Sequence, residues 1–355
     1  MSEIRKNVRI IDIARMAKVS PGTVDRVLHN RGKVSADKRE KVEAVLKEIN
    51  YQPNIMARSL ALKRHYKILV FVPAFEKGSY WDSLNRGIVS AARELVNFNI
   101  SIHYLHFDQY DEASFTNQAK LILKEEYDAI VIAALFEKPV VDLSRALDER
   151  EIPYVYIDSI INHQNNLAYY GANSYDSGAV AAKLLMYDVG KDGDVFIANI
   201  RTNKKKDSFQ TYVREKGFRE YLSENNFEGQ IFEIELSDNY AQTLRSLNSL
   251  IEKNPRLSGG VVFNSRVHEL VDVLFDNTNL SHEIKLIGYD AIEKNVEALR
   301  VGKVSFLLSQ RSDIQGYNGV KALSNYLLFG TKPDKTNYMP IDILIKENID
   351  YYHNM

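Results

Sequence analysis

From residue 67 to residue 309, short apolar segments alternate with amphipathic ones, and this alternation constrains the fold more than any other feature of the sequence. The apolar segments predict strands at Lys67–Val72, Ile100–His106, Ala129–Ala134, Tyr154–Ile157, Asp194–Ile200, Gln230–Leu236, Gly260–Phe263, Lys285–Tyr289 and Phe306–Ser309. The segments between them predict helices at Leu84–Val96, Asn117–Lys124, Val140–Arg150, Val180–Tyr187, Tyr212–Asn225, Ala241–Lys253, Val267–Phe275 and Ala291–Arg300. Continuous apolar strands separated by helices are typical of parallel sheets covered on both faces. We therefore expect an α/β fold, with two lobes because the alternation restarts after Gly171.

Charge is distributed unevenly between the two ends of the chain. The whole chain carries a formal net charge of −1. Residues 1–67 hold 16 Lys/Arg and 7 Asp/Glu, a net of +9, so the remainder carries −10. A basic end on an acidic body indicates either a nucleic-acid-binding segment or a solvated basic helical surface.

Several classes of protein are excluded or disfavoured by composition. The chain has no cysteine, which excludes disulfides, zinc–thiolate sites and cysteine nucleophiles. Its longest apolar runs, Ile68–Phe75 and Ala129–Phe136, are far shorter than the ~20 residues of a membrane span. Met1–Arg9 lacks the apolar region of a signal peptide, and the sequence contains no G-x-S-x-G, Walker, G-x-G-x-x-G or H-E-x-x-H motif. We expect a cytoplasmic protein without enzymatic activity, metal, cofactor or membrane contact.

The basic end predicts three short helices. Apolar residues at helical spacing indicate the first helix; they are Ile10, Ile11, Ile13, Ala14 and Ala17. Ser20 is a candidate N-cap of the second helix, with Pro21 in its first turn, and Gly32 suits the turn that follows. Ser35 is a candidate cap of the third helix. Three short helices with a tight turn between the first two predict a helix-turn-helix.

The polar residues of this end follow a pattern that is typical of one protein family. The sequence contains Val-Ser-x-x-Thr-Val-x-Arg-Val-Leu over residues 19–28 and Val-Ser-x-x-x-Arg-x-x-Val over 34–42. It then contains Tyr-x-Pro-Asn-x-x-Ala-x-x-Leu over 51–60. This pattern resembles the lactose-repressor (LacI) family of bacterial transcription regulators, and the rest of the chain resembles that family's sugar-binding core.

The resemblance implies a three-part organisation. A helix-turn-helix head would occupy residues 1–52, and a hinge helix with its linker would occupy 53–66. A two-lobed core of the periplasmic-binding-protein type I would occupy 67–355. Its N-terminal lobe would comprise about 67–162 and 309–336, and its C-terminal lobe about 163–308 and 337–355.

The resemblance also implies which residues contact DNA. The expected set is Arg9, Ser20, Pro21, Gly22, Thr23, Asp25, Arg26, His29, Ser35, Arg39, Asn54, Ala57 and Leu60. Pro21, Gly22 and Arg26 match base-reading positions, and Leu60 matches a wedge inserted into the minor groove. Asp25 replaces a small hydroxyl residue; it either accepts from a cytosine amine or orients Arg26 by an ion pair, and we favour the ion pair.

Ligand-binding residues are expected in loops after the strands, because ligands bind beyond the carboxyl ends of parallel strands. By resemblance they are Tyr80, Trp81, Phe136, Ser159, Arg214, Asn264, Asp290 and Gln310. Tyr80 and Trp81 either stack on a sugar or pack in the core. Asp290 either binds ligand hydroxyls, caps the following helix, or does both. Phe136 and Ser159 stand near positions where sugar-binding relatives carry an aspartate and an arginine.

The resulting expectation is a homodimeric, or possibly tetrameric, regulator that binds operator DNA. A small effector, a sugar or sugar derivative, would bind between the lobes and change operator affinity. Two alternatives remain open at this stage. The effector could be a nucleobase or nucleoside, or the chain could be a sugar transport-binding protein, which would not need residues 9–63.

Overall fold

The computed structural model describes residues 8–28, 32–49, 64–200, 209–236, 239–277 and 283–352. The chain divides into two compact units, residues 1–64 and residues 65–355, each with its own hydrophobic core. No helix within the described stretches is both long and apolar enough to cross a membrane.

Three short helices form the first unit: α1 (Ile10–Met16), α2 (Pro21–Leu28) and α3 (Ala36–Glu48). Their apolar faces meet in one small core, which confirms the predicted three-helix arrangement. The buried residues of this core are Ile13, Ala14, Ala17, Val24, Val27, Val42 and Val45. The Ser20 side-chain oxygen accepts a hydrogen bond from the Thr23 backbone N–H at 3.3 Å, as expected of a residue that caps α2.

The turns of this unit confirm one prediction and correct another. Gly32 adopts φ = +67°, the left-handed conformation expected there. Ser35 occupies the N-cap position of α3, but its side chain makes no capping hydrogen bond, so the predicted capping contact is wrong. The Ser35 carbonyl still accepts the first helical bond, from the Arg39 N–H at 3.0 Å.

The N-terminal lobe of the second unit is built on one six-stranded sheet. Its strands are β1 (Tyr66–Pro73), β2 (Ile100–Phe107), β3 (Ala129–Ala133), β4 (Tyr154–Ile157), β5 (Ala168–Gly171) and β11 (Thr336–Tyr338). They are ordered β11-β5-β4-β3-β1-β2, and all pairs are parallel. The helices of this lobe are α4 (Tyr80–Leu95), α5 (Glu112–Ile122), α6 (Glu137–Asp148) and α12 (Ser312–Phe329). Helix α4 packs on α12, and α5 packs on α6.

The C-terminal lobe repeats this plan. Its strands are β6 (Asp194–Ile200), β7 (Ile231–Leu236), β8 (Leu257–Val261), β9 (Lys285–Tyr289), β10 (Phe306–Ser309) and β12 (Asp342–Leu344). They are ordered β12-β10-β9-β8-β6-β7 and are parallel except for β12, which is antiparallel to β10. The helices are α7 (Ser174–Val189), α8 (Phe209–Glu224), α9 (Tyr240–Lys253), α10 (Val267–Asn277), α11 (Glu293–Arg300) and the short α13 (Ile349–Tyr352). The predicted α/β architecture with parallel sheets is confirmed.

The chain crosses between the lobes later than the sequence predicted. The N-terminal lobe was expected to end near residue 162, yet β5 pairs with β4 in that lobe. Strand β11 also joins the N-terminal sheet, so the last crossing falls after Tyr338 rather than after residue 336. The short strands β5, β11 and β12 were not predicted, because no helix separates β5 from β4 or β12 from β11 and they fall outside the alternation of strands and helices. Helix α12 was missed as well, since it buries small and apolar residues on several sides and shows no single apolar face.

Two glycines allow α7 and α8 to pack at very close range. A Cβ atom added to Gly178 on α7 would lie 1.9 Å from the backbone oxygen of Arg214 on α8. A Cβ atom added to Gly217 on α8 would lie 2.0 Å from the backbone oxygen of Tyr175 on α7. Because both clashes are with backbone, no side-chain adjustment can relieve them. The contact therefore fixes the position of α8, and with it the position of Arg214.

Substitution Gly178→Ala should lower the free energy of unfolding by about 1–3 kcal/mol, because the new methyl group overpacks the α7–α8 contact. Thermal unfolding followed by circular dichroism measures the effect. The matched control is Lys183→Ala, an exposed site on the same helix, which should change stability by less than about 0.5 kcal/mol. Equal melting temperatures for the two variants would contradict the close approach.

Candidate functional site

The exposed end of α2 carries the residues expected to read DNA bases. Pro21 and Gly22 form its first turn, and Arg26 lies one turn later; all three are exposed. The Arg26 Nε donates a hydrogen bond to the Gly22 backbone oxygen at 3.0 Å. This bond holds the base of the guanidinium against the helix, and the terminal nitrogens are the groups that suit a guanine edge. The predicted ion pair between Asp25 and Arg26 stays a prediction.

Thr23, for which a contact with phosphate is predicted, is buried in the structure. Its side chain is only 6% exposed, and its hydroxyl lies 2.9 Å from the Ser20 hydroxyl. Thr23 therefore stabilises the start of α2 from inside the unit. Of the other expected DNA contacts, Arg9, Ser20 and Ser35 are exposed and Asp25 and Arg39 are half-buried; His29, Asn54, Ala57 and Leu60 lie outside the described residues.

The second unit contains a cavity of about 1030 Å³ between its two lobes, at the carboxyl ends of the parallel strands. Seven of the eight predicted ligand-binding residues line it, namely Tyr80, Trp81, Phe136, Arg214, Asn264, Asp290 and Gln310. Ser159 is not among the lining residues. It is buried, and its hydroxyl donates to the Asp158 Oδ2 at 3.1 Å. The prediction of Ser159 as a direct contact is therefore wrong, and Asp158 lines the cavity in its place.

Asp158 and Asp290 occupy equivalent positions in the two lobes. Each follows the fourth strand of its lobe, β4 or β9, and each has φ = +66°. The Asp158 N–H donates to the Tyr170 backbone oxygen at 3.1 Å, and the Asp290 N–H donates to the Leu308 backbone oxygen at 2.8 Å. Aspartate is one of the few residues that tolerate this left-handed backbone conformation. In both lobes, a left-handed residue after the fourth strand thus places a carboxylate on the same cavity.

Asp158 forms hydrogen bonds with residues of both lobes. The Tyr80 hydroxyl donates to its Oδ1 at 2.5 Å from the N-terminal lobe. The Gln210 Nε2, on α8 of the C-terminal lobe, donates to its backbone oxygen at 3.1 Å and to its Oδ1 at 3.3 Å. The Asp158 N–H also donates to Oε1 of Gln315 on α12. These bonds close the base of the cleft.

Arg214 is the buried cation of the site, with only 2% of its surface exposed. Its Nη1 donates to the Phe263 backbone oxygen at 2.7 Å, and its guanidinium carbon lies 4.3 Å from the centre of the Tyr289 ring. The Nε and Nη2 atoms have no hydrogen-bond partner among the described residues, and the same holds for the Oε1 of Gln310. Buried polar atoms of this kind are typical of a site that a ligand completes.

Asp290 is not the N-cap of the following helix, so that alternative is wrong. Helix α11 begins at Glu293 and its N-cap is Ile292. The Asp290 carboxylate instead accepts a hydrogen bond from the Gln310 Nε2 at 3.2 Å and lines the cavity. Its backbone oxygen accepts from the Asn295 Nδ2 at 3.1 Å, which fixes the turn that presents the side chain.

Burial dominates the ionisation of both carboxyl groups. Burial raises the pKa of Asp290 to about 7; the Arg214 charge and the Gln310 hydrogen bond lower it, while the neighbouring Asp158 charge raises it. Burial also raises the pKa of Asp158, against the lowering effects of the Tyr80 hydrogen bond and of Arg214. The same guanidinium therefore stabilises the ionised form of both groups.

The two predicted aromatic platforms take different roles. Tyr80 is almost fully buried, and its hydroxyl serves Asp158. Trp81 is equally buried, and its Nε1 donates to the Gln109 Oε1 at 2.9 Å. Their rings meet edge to face with centroids 5.1 Å apart. Both side chains thus combine core packing with a place on the cavity wall.

Sequence reasoning missed Asp158, Gln210 and Gln109 as site residues. Asp158 had a usable signal, because it directly follows a predicted strand. Gln210 lies four residues before Arg214, so it shares the helix face that carries the arginine. Gln109 had no comparable signal. No group of three or more metal-ligating side chains occurs in the part of the chain that the structure describes.

The raised pKa of Asp290 makes stability depend on pH. A carboxyl whose pKa is higher in the folded chain than the usual 3.8 stabilises the fold fully at acidic pH, and the stability is lost as pH rises through about 7. We expect Asp290→Asn, without ligand, to gain stability relative to wild type as pH rises from about 4 to 7, by at most about 1.4 kcal/mol per pH unit. Urea unfolding across this range measures the difference. Asp188→Asn, at an exposed site, is the control, and a pH-independent difference for Asp290→Asn would contradict the assignment.

Residues 68–332 match the family model of the periplasmic binding protein domain, and residues 9–54 match that of the bacterial regulatory proteins of the lacI family. The chain is similar to a ribose operon repressor from Halalkalibacterium halodurans, with 27% identity over 251 residues, or 70% of each chain. It is also similar to the transcriptional regulator pepR1 from Lactobacillus delbrueckii, with 28% identity over 240 residues, or 66% of this chain and 68% of the relative.

Solved structures include a similar LacI-type regulator and a more distant protein that shares the fold. A Bacteroides fragilis protein assigned to the LacI transcriptional regulators superposes with a TM-score of 0.77 and 36% identity, over 82% of this chain and 100% of that one. A solute-binding protein from Burkholderia graminis in complex with D-arabinose shares the fold, with a TM-score of 0.70 and 17% identity over 81% of this chain and 97% of that one. The chain therefore belongs to the LacI family of bacterial transcriptional regulators, with a periplasmic binding protein domain as its core.

Proposed function

We propose that the chain regulates transcription by binding operator DNA through its three-helix unit, and that a sugar bound between its lobes changes its affinity for that DNA. Two copies act together on a near-palindromic operator, because a two-fold symmetric protein matches two half-sites. DNA as the partner also implies a cytoplasmic location. The observation that carries the proposal is the buried polar cluster around Arg214, which receives groups from both lobes.

The cluster suits a sugar because each sugar hydroxyl both donates and accepts hydrogen bonds. Arg214 offers two donor nitrogens in a fixed plane, which can bind two neighbouring hydroxyls. Asp290 and Gln310 offer acceptor oxygens on the same cavity. A relative named above is a ribose operon repressor, and the Burkholderia graminis neighbour was solved in complex with D-arabinose.

Coupling to DNA binding requires that the ligand change how the lobes meet. The chain crosses between lobes three times, after Gly171, after Ser309 and after Tyr338. Gln315 lies beside the second crossing: it accepts from the Asp158 N–H and donates to the Gln310 backbone oxygen at 2.8 Å. A ligand that binds these groups acts directly on this crossing between the lobes. A coupling free energy of ~1–3 kcal/mol would change operator affinity about 5–150-fold.

For DNA recognition we expect Arg26→Ala to reduce the preference for the operator over random DNA by roughly 5–150-fold, because a bidentate contact to guanine is worth about 1–3 kcal/mol. Gel-shift titrations against the chain's own upstream DNA and a scrambled duplex measure both affinities. Lys47→Ala is the control, since it removes one exposed positive charge from the end of α3. Equal losses on both duplexes for Arg26→Ala would make Arg26 a phosphate contact.

For the cleft we expect Arg214→Lys to abolish the rise in melting temperature that the sugar causes, or to weaken sugar binding at least ~10-fold. Lysine keeps a positive charge near the two carboxylates, so the ligand-free protein stays folded. A thermal-shift screen of sugars on wild type identifies the ligand first. Arg219→Lys, on the same helix but bonded to Glu215 and Glu233, is the control. An undiminished shift in Arg214→Lys would move the site elsewhere.

A further inference from the structure

The cavity has two parts of different chemistry. The deep zone consists of the buried polar residues Tyr80, Asp158, Arg214, Asp290 and Gln310. The aromatic row consists of Phe75, Tyr110 and Phe136, which also line the cavity but are partly exposed. The polar groups of the deep zone suit the hydroxyls of one sugar ring. The aromatic row offers apolar surface beyond that zone.

The sheet topology sets the length of the aromatic row. Tyr110, Phe75 and Phe136 follow β2, β1 and β3, which are consecutive neighbours in the sheet, and Asp158 follows the next strand, β4. Neighbouring strands lie about 4.8 Å apart, so the line from Asp158 to Tyr110 spans roughly 14 Å. That distance exceeds one pyranose ring and leaves room for a second. Aromatic faces along the line suit the apolar face of a ring.

The volume of the cavity agrees with a ligand of this length. At about 1030 Å³ it lies at the upper end of the ~300–1,000 Å³ range for drug-sized ligands. The Gln210 side chain already joins the lobes at Asp158, so this volume is present with the base of the cleft closed. A single monosaccharide would fill a minor part of it.

The charges of the described residues that line the cavity oppose an anionic ligand. Helices α5, α6 and α11 point their N-termini at the cavity, and such termini would otherwise attract phosphate. Each begins with a glutamate that lines the cavity: Glu112, Glu137 and Glu293. Among the described residues, the lining includes seven acidic ones (Glu76, Glu112, Glu137, Asp158, Glu269, Asp290, Glu293) and four basic ones (Lys77, Arg214, Arg266, Lys294). The Arg266 guanidinium is bonded to both oxygens of Glu269, at 2.6 and 2.8 Å.

We propose that the cavity selects an uncharged glycoside of two rings, with a hydroxyl-rich ring in the deep zone and the second ring on the aromatic row. Phosphorylated sugars are rejected. This inference rests on the proposed function, because it specifies the ligand of the same cleft. A neutral disaccharide and a nucleoside share the required chemistry.

The test is calorimetric titration of the full chain with four ligand sets: neutral monosaccharides, neutral disaccharides, nucleosides, and phosphorylated forms of each. The best neutral two-ring ligand should bind at least ~10-fold more tightly than any monosaccharide, and at least ~10-fold more tightly than its own phosphate. Whether disaccharides or nucleosides bind distinguishes the two sources. Either result supports the two-ring class.

Variants separate the two parts of the cavity. Tyr110→Ala should weaken the two-ring ligand about 10-fold and leave monosaccharide affinity unchanged, whereas Arg214→Lys should weaken both. Tyr187→Ala is the matched control, because Tyr187 is 73% exposed on α7 and does not line the cavity. It should change neither affinity.

Three results would overturn the inference and leave the proposed function standing. They are equal affinity for monosaccharides and two-ring ligands, equal affinity for a ligand and its phosphate, and equal loss of both ligand sizes in Tyr110→Ala. If none of the four sets binds and none alters operator binding, the proposed sugar-responsive function falls together with the inference.

Discussion

Arg214 is buried in the second unit, and the charge of its guanidinium acts on Asp158 from one lobe and Asp290 from the other. A buried charge costs several kcal/mol unless opposite charges and hydrogen bonds compensate it. Here one cation partly compensates two carboxylates, and the three groups can only meet when both lobes are in place. The arrangement of the cleft therefore depends on this interaction. The close packing of α7 on α8, which requires Gly178 and Gly217, fixes the position of α8 and therefore of Arg214.

Much of the core could be predicted from the sequence because its signals are local and repeated. The nine predicted apolar strands and the amphipathic helices between them could be read in their order along the chain. The strands β5, β11 and β12 could not be predicted, because residues 168–171, 336–338 and 342–344 are defined by their partners in the sheet rather than by a pattern of their own. Helix α12 is buried on too many sides to show an amphipathic face.

The candidate site could also be predicted only in part. Arg214, Asn264, Asp290 and Gln310 could be placed through the family resemblance, and they do line the cavity. The error at Ser159 came from one position of register: Asp158, which has the left-handed backbone after β4, lines the cavity, and its neighbour does not. At Thr23 the DNA contact stays a prediction, and the sequence did not show that its hydroxyl lies 2.9 Å from that of Ser20 inside the unit. Neither choice can be made without knowing the direction of the side chain.

The left-handed backbone of Asp158 and Asp290 restricts which residues can replace them. At φ = +66°, asparagine and glycine fit nearly as well as aspartate, whereas branched or bulky residues are strained. The permitted exchanges change the charge of the site and leave its main chain in place. Specificity at these two positions can therefore diverge by switching a carboxylate to an amide, or by removing the side chain, within an unchanged scaffold. Relatives that respond to different ligands could arise from such exchanges without refolding either lobe.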